Sequence, residues 1–296
     1  MKLRIKIRRN DVKKMNLVKI AERSVFPIGF GTWTTGDDAR KRTEEIRALQ
    51  TGIEHGLQVI DTAEMYGQGK TEKLVAEAIE PFKREDLFLI SKVLPENASK
   101  AKLSKSLDKS LKRLKTDYLD QYLLHWQGSI PLQETVEALD AEKRKGKIRS
   151  WGVSNLDAAD LQKVLSFKEG AACDSNQVRY NLGDRGIEYD LLPLMKENNV
   201  PLIAYAPVAK GDKSGKNFSS QPELLAIAAN HQCTIFQLLL AWCIRDGRTI
   251  AIPQSSNPQH VLDNVKATDI QLSHNELAVI DQLYPEPTSK QPLALW

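Results

Sequence analysis

Cysteine is scarce in this sequence of 296 residues: there are three, Cys173, Cys233 and Cys243, and no two share a Cys-x-x-Cys spacing. That excludes a disulfide scaffold and a cysteine-built zinc site, no metal is expected, and it points to a reducing compartment, the cytoplasm. Long apolar runs are missing too. The longest, 235–244, is interrupted by Gln237 and falls well short of the roughly 20 residues that span a bilayer. No membrane partner is expected. The charged start (Lys2, Arg4, Lys6, Arg8, Arg9) is followed by no apolar stretch, so it lacks the form of a secretory signal. Hydrophobic residues at 41% and charged residues at 27% exclude wholesale disorder.

The net charge of +4 is unevenly placed. Residues 1–14 hold seven Lys/Arg and one acid, Asp11, which makes +6 and leaves −2 for residues 15–296. The basic character therefore belongs to an N-terminal extension, 1–14, and not to the domain, 15–296, with Met15 as a plausible alternative start. We read the extension as solvated and expect no nucleic-acid partner.

From residue 26 onward, short apolar or β-branched runs alternate with longer charged runs of helical period. The short runs are 27–32, 59–62, 87–92, 119–125, 150–154, 175–179, 201–206 and 249–253. Helical patterns lie between them at 41–55, 71–79, 102–114, 132–145, 158–165 and 191–198, and two more, 222–230 and 234–245, precede the eighth strand. In 102–114 the leucines at 103, 107, 111 and 114 mark one buried face, and Lys105, Lys109 and Lys112 the solvated one. Strict alternation means parallel strands, because parallel neighbours need a crossover helix. Eight units predict a single-domain (β/α)₈ barrel, with extra helices before and after strand 8. The alternative, a doubly wound sheet, usually announces itself by GxGxxG after strand 1. Here Gly29-Phe30-Gly31 continues as Thr32-Trp33-Thr34, so the third glycine fails; Gly69-Lys70-Thr71 mimics a phosphate loop but has Glu64 where its first glycine belongs.

A barrel places its chemistry at the C-terminal strand ends. Trp33, Asp61, Tyr66, Lys92, His125, Trp126, Ser154, Asn155, Gln177 and Tyr205 all fall there. Asp61 and Lys92 end adjacent strands and can pair; an ammonium near the Tyr66 phenol is expected to lower its pKa. With His125 as a further donor, the four suit proton delivery to a carbonyl oxygen as a hydride arrives at its carbon. Taken singly, Tyr66 is an ordinary surface aromatic, Lys92 a rim or Schiff-base lysine, His125 a satisfied strand-end histidine, and Trp33 and Trp126 packing residues. The ordered set carries the argument.

The set resembles the aldo-keto reductases over residues 17–285. The motifs are Gly29-Phe30-Gly31-Thr32-Trp33, the 61–66 segment from Asp61 to Tyr66, Ser91-Lys92-Val93, Leu123-Leu124-His125-Trp126, Gly152-Val153-Ser154-Asn155, Asn176-Gln177, the 204–208 segment with Tyr205-Ala206-Pro207-Val208, and Ile252-Pro253-Gln254-Ser255. The resemblance implies NAD(P)H-dependent reduction of small aldehydes and ketones. Tyr66 would be the proton donor, Lys92 paired with Asp61 would tune it, His125 would orient the carbonyl, and Trp33 and Trp126 would wall the substrate pocket. It implies a nicotinamide dinucleotide across the barrel mouth, NADP(H) and also NAD(H), touching Gly31, Thr32 and Asp61. Ser154, Asn155 and Gln177 would meet the carboxamide, Tyr205 the ring, and Pro207 and Val208 the pyrophosphate. Gln254, Ser255, Asn257, His260, Asp263 and Asn264 would hold the adenosine end.

The departures lie at that end. NADP-selective members usually carry lysine where Gln254 stands and arginine where His260 stands, so charge-assisted contacts to a 2′-phosphate are weakened and dual use with NADH is expected. Stretches 182–193 and 125–129 are similar to bacterial members that reduce methylglyoxal and related 2-oxoaldehydes. The Gly/Ser/Lys-rich loop 210–220 is expected to be mobile. The partner is a small carbonyl substrate, and the state a monomer or weak oligomer. Two rivals stand: a Schiff-base aldolase on Lys92, disfavoured because Asp61 keeps the amine protonated, and a slow, cofactor-binding regulatory subunit.

Overall fold

A computed structural model describes residues 17–209 and 217–295. The extension 1–14 and most of the expected mobile loop, 210–216, lie outside the described residues; the rest of that loop holds the short turn Phe218–Ser220, with Phe218 buried.

Eight parallel strands form one sheet in sequence order: β3 (Phe30–Gly31), β4 (Val59–Asp61), β5 (Phe88–Val93), β6 (Leu119–Leu124), β7 (Ile148–Ser154), β8 (Cys173–Arg179), β9 (Leu202–Tyr205) and β10 (Thr249–Ala251). The two ends of that order meet. Ile28 bridges Ala251 in parallel, the Gly29 amide donates to the Ala251 carbonyl at 2.8 Å, and the Gly31 amide donates to that of Pro253 at 3.1 Å. The sheet closes into the (β/α)₈ barrel that the alternation predicts. At the seam the ladder is irregular, so regular pairing covers only part of the expected runs 27–32 and 249–253. The glycines of strand 1 serve this close approach: a Cβ on Gly29 would sit 2.7 Å from the Val59 carbonyl, and one on Gly31 would sit 2.7 Å from that of Ile252. The Gly-x-Gly of the sequence is a packing requirement.

Helices α1 (Arg42–Glu54), α2 (Lys70–Ile79), α3 (Leu103–Leu114), α4 (Leu132–Arg144), α5 (Ala158–Ser166) and α6 (Leu191–Glu197) follow β4's predecessor and each strand in turn. Two helices, α7 (Pro222–Asn230) and α8 (Ile235–Cys243), precede β10, and α9 (Pro258–Lys266) and α10 (His274–Leu283) follow it. The apolar run of α8 is stopped at its start by a capping box, Thr234 with Gln237, which satisfies amides that the helix cannot. No single helix among the described residues is long and apolar enough to cross a membrane.

Side chains alternate across each strand, which produces two cores. Outward residues such as Leu89, Val93, Tyr122 and Val178 pack under the helices, where Leu103, Leu107, Leu111 and Leu114 of α3 join them. Burying such side chains contributes roughly 1.5–3 kcal/mol each. Inward residues Val59, Phe88, Ile90, Leu123, Ile203 and Ile250 fill the barrel. A hairpin unforeseen in the sequence, β1 (Val18–Ile20) with β2 (Arg23–Val25), plugs its N-terminal end through Val18, Ile20 and Val25. The same parity carries upward. One step above Val59, Ile90, Leu123 and Ile203, the inward positions are Asp61, Lys92, His125 and Tyr205.

Candidate active site

Asp61, His125 and Tyr205 line a cavity of about 860 Å³ at the C-terminal mouth, with Lys92 buried beneath it. At its floor Lys92, fully buried, donates from Nζ to Asp61 Oδ2 at 2.7 Å, to the Thr62 carbonyl at 2.9 Å and to the Tyr66 hydroxyl at 3.1 Å. All three ammonium protons are thereby directed. Asp61 accepts on its other oxygen from Gln177 Nε2 at 2.8 Å, and its carbonyl from Thr32 Oγ1 at 2.8 Å. A buried ion pair of this kind survives only with such extra hydrogen bonds. Burial works against the Lys92 cation, but Asp61 and Tyr66 together raise its pKa above the usual lysine range. Asp61 is raised, by burial first, against the pull of Lys92 and Gln177.

Tyr66 follows β4 on a short turn whose next three residues, Gly67, Gln68 and Gly69, all have left-handed φ of 53, 54 and 85°. Its ring meets that of His125 edge to face at a 5.8 Å centroid distance. The acidified phenol expected from the lysine is not what the surroundings produce. Burial raises the Tyr66 pKa, Lys92 lowers it, Asp61 raises it again, and the balance is upward. The phenol holds its proton at neutral pH. His125 is driven the other way: burial, then the Lys92 charge, lowers it to about 2, so its ring is neutral. Its Nδ1 is buried with no hydrogen-bond partner among the described residues.

The residues expected at the nicotinamide end line the same cavity and are already linked. Ser154 Oγ donates to the Gln177 carbonyl at 2.8 Å, Asn155 Nδ2 to the His125 carbonyl at 3.1 Å, and the Tyr205 hydroxyl to Asn155 Oδ1 at 3.0 Å. Gln177 Oε1 accepts from no protein donor among the described residues and so retains capacity for a ligand. Asn155 and Ala206 adopt left-handed φ of 57 and 50°, strain of about 1–3 kcal/mol each that gathers at this site. Gly31, Thr32, Pro207 and Val208 also line the cavity. Its upper wall is apolar, with Trp33 41% exposed and Trp126 37% exposed.

The adenosine set divides. Gln254 lines the cavity and reaches across the mouth, donating from Nε2 to Thr34 Oγ1 at 2.7 Å. Ser255, Asn257, His260, Asp263 and Asn264 lie beyond the cavity, the first two just before α9 and the other three along it. There Asn257 caps the helix by accepting from the Gln259 amide at 2.8 Å, Asp263 accepts from Lys266 at 3.4 Å, and His260 is exposed. The sequence reading missed Thr34, Met65, Gln127 and Leu295, which also line the cavity. Three of them adjoin residues already singled out. Leu295 had no local signal; it arrives from the C-terminal tail, held by Arg179 Nη1 donating to its carbonyl at 3.2 Å.

An ion-paired lysine under a phenol and a neutral imidazole, at the mouth of a closed eight-stranded barrel, defines a site for proton delivery to a carbonyl. Residues 27–285 match the Aldo/keto reductase family, and the chain belongs to it. It is similar to the methylglyoxal reductase YeaE of Escherichia coli, 46% identical over 270 residues that span 91% of this chain and 95% of that protein. The NADH-specific methylglyoxal reductase of E. coli is 29% identical over 308 residues, covering 86% of this chain and 94% of that one. A crystal structure of an aldo/keto reductase from Klebsiella pneumoniae in complex with NADP and acetate superposes with a TM-score of 0.93 at 46% identity, covering 95% of this chain and 100% of that chain.

Proposed function

We propose that this chain is an NAD(P)H-dependent reductase of small aldehydes and ketones, 2-oxoaldehydes such as methylglyoxal among them, with Asp61, Tyr66, Lys92 and His125 as its catalytic residues. The observation that carries the reading is the chain of contacts from Asp61 through Lys92 to the Tyr66 hydroxyl, 2.7 and 3.1 Å long, at the floor of a cavity walled by indoles. Relatives named as methylglyoxal reductases support the substrate class, and the NADP-bound structure supports the cofactor. The relatives named above give no support to a slow regulatory subunit.

The cavity suits a nicotinamide dinucleotide in donor type: Gln177 Oε1 is available to an amide N–H, and Ser154, Asn155 and Tyr205 stand around it. Pro207 and Val208 border the space for the phosphates, and residues from Gln254 to Asn264 would hold the adenosine. When bound, the dinucleotide supplies the hydride to the carbonyl carbon.

Tyr66 then gives its proton to the oxygen of that carbonyl. The upward-shifted phenol ensures that the proton is present, and Lys92 stabilises the phenolate left behind. Because Asp61 keeps Lys92 a cation, the amine has no lone pair for a Schiff base, and the aldolase alternative loses its nucleophile. His125, neutral, offers one N–H to the carbonyl oxygen; we place it on the ring nitrogen nearer the cavity. Trp33, Trp126, Met65 and Leu295 hold the substrate by apolar contact. All of these groups come from one chain, so a monomer suffices for activity, and the cytoplasm remains the expected compartment.

The test is an assay of methylglyoxal, glyoxal and a panel of aldehydes with NADPH and NADH. Aldehyde-dependent cofactor oxidation is expected with at least the 2-oxoaldehydes. Tight cofactor binding without turnover on any aldehyde would replace this reading with the regulatory one.

A further inference from the structure

Two residues before Tyr66, and outside the cavity, stands a carboxylate that the reaction does not use. Glu64 Oε1 accepts from the Leu94 amide at 2.8 Å and from Asn97 Nδ2 at 3.1 Å, and Oε2 accepts from Ser106 Oγ. Leu94 and Asn97 belong to the segment that leaves β5 after Val93, one residue past Lys92, and Ser106 lies on α3. The Glu64 amide also donates to the Lys92 carbonyl at 3.4 Å, the last rung between the two segments. One side chain thus ties the loop that carries the phenol to the strand that carries the ammonium and to the helix behind both.

The other side of Tyr66 cannot set its position alone, since the three residues after it are left-handed and break the helical path. A second carboxylate closes that side: Glu72 of α2 accepts from Ser91 Oγ, beside Lys92, at 2.7 Å and pairs with Arg113. Charge-assisted acceptors with several donors hold geometry better than neutral ones.

We infer that Glu64 is a positioning residue that sets the Tyr66 hydroxyl at reacting distance from Lys92; the inference rests on Tyr66 being the proton donor. Because misplacement of a reacting group by about 1 Å costs up to a hundredfold, loss of the clamp should be visible in turnover.

The experiment begins with Tyr66→Phe: if that variant stays active, the reading of the site has failed, and the role of Glu64 in positioning the proton donor is overturned with it. With that variant inactive, Glu64→Ala is expected to lower kcat about tenfold or more, with the cofactor Kd from fluorescence quenching unchanged. The limb of the pH–rate profile set by the phenol should move to higher pH, because a phenol farther from Lys92 is a weaker acid. Glu64→Gln should recover most of kcat, since its amide oxygen still accepts from Leu94 and its NH₂ can donate to Ser106. Unchanged kcat in Glu64→Ala overturns the proposal. So does a loss of kcat with an unmoved limb that Glu64→Gln does not recover, which marks a merely structural role. Should Glu64→Ala not fold, Ser106→Ala removes only one of the three donors to Glu64, and an unmoved limb there overturns the proposal equally.

Discussion

The two ends of the cleft are built on opposite principles. At the proposed nicotinamide end, inward side chains from the ends of five barrel strands interlock: Asp61, Lys92, Gln177, Ser154, Asn155 and Tyr205 form one hydrogen-bonded group, with Asp61 and Lys92 almost wholly buried. At the proposed adenosine end, Asn257, His260 and Asp263 are spread along one surface helix from its N-cap into its second half, and their side-chain contacts are local or absent. Charges in the first region interact through a poorly screening interior, whereas those in the second face water. On the proposed reading, the proton-transfer group is the buried, interlocked one, and cofactor choice falls to surface side chains that can change without disturbing the fold.

If that contrast is real, Tyr66→Phe should abolish reduction, by roughly 10²–10⁴-fold or more in kcat, while cofactor quenching of protein fluorescence persists. Full activity in that variant removes the tyrosine from the mechanism. Next in size, Asp61→Asn strands a buried cation and is expected to cost about 3–5 kcal/mol in urea unfolding. The matching change at the other end, Asp263→Asn, should cost under about 1 kcal/mol, its lysine partner being at the surface. Equal losses would erase the distinction drawn here.

Gln254→Lys exchanges a neutral bond to Thr34 for a charge facing a 2′-phosphate. It should raise the NADPH/NADH ratio of kcat/KM about tenfold or more, and an unchanged ratio would break the account of the adenosine end. A last effect concerns acid stability. His125 folds with its pKa lowered to about 2, below the usual value near 6.5, so the unfolded chain binds a proton that the folded one refuses. Its contribution to stability is complete above about pH 6.5 and falls as the pH drops, by up to about 1.4 kcal/mol per pH unit. His125→Phe should flatten the slope of unfolding free energy against pH between 5 and 6 by about one proton, and no change in slope would place His125 in contact with water.

Much of this was legible in the residues. Alternation of apolar runs with helical periods predicts the barrel, because parallel strands need crossovers and nothing else in the chain competes. The strand-end residues Asp61, Lys92, His125 and Tyr205 are readable by parity, each two positions beyond an inward apolar neighbour, and Gln177 follows the same parity behind Ser175. Other features were not. The hairpin Val18–Val25 lies ahead of the alternation and was not foreseen, since its three core residues gain meaning only against the barrel floor they plug. Leu295 enters the cavity from far down the chain and has no periodicity to betray it. Glu64 looks like any loop glutamate until its three donors, from two other elements, are seen.

Composition and order alone determined the class of fold, which positions face inward and which side chains collect at the mouth, because those depend on local period and on the rule that strand ends converge. The balance of charge among the collected groups was settled in three dimensions. The phenol was expected to be made acidic by its neighbour, yet burial outweighs the lysine, since desolvation depends on everything packed around a group and not on one partner. Closure of the sheet through Gly29 and Gly31, and the seating of the Tyr66 turn by Glu64, likewise rest on contacts between residues far apart in the chain, which no local pattern records.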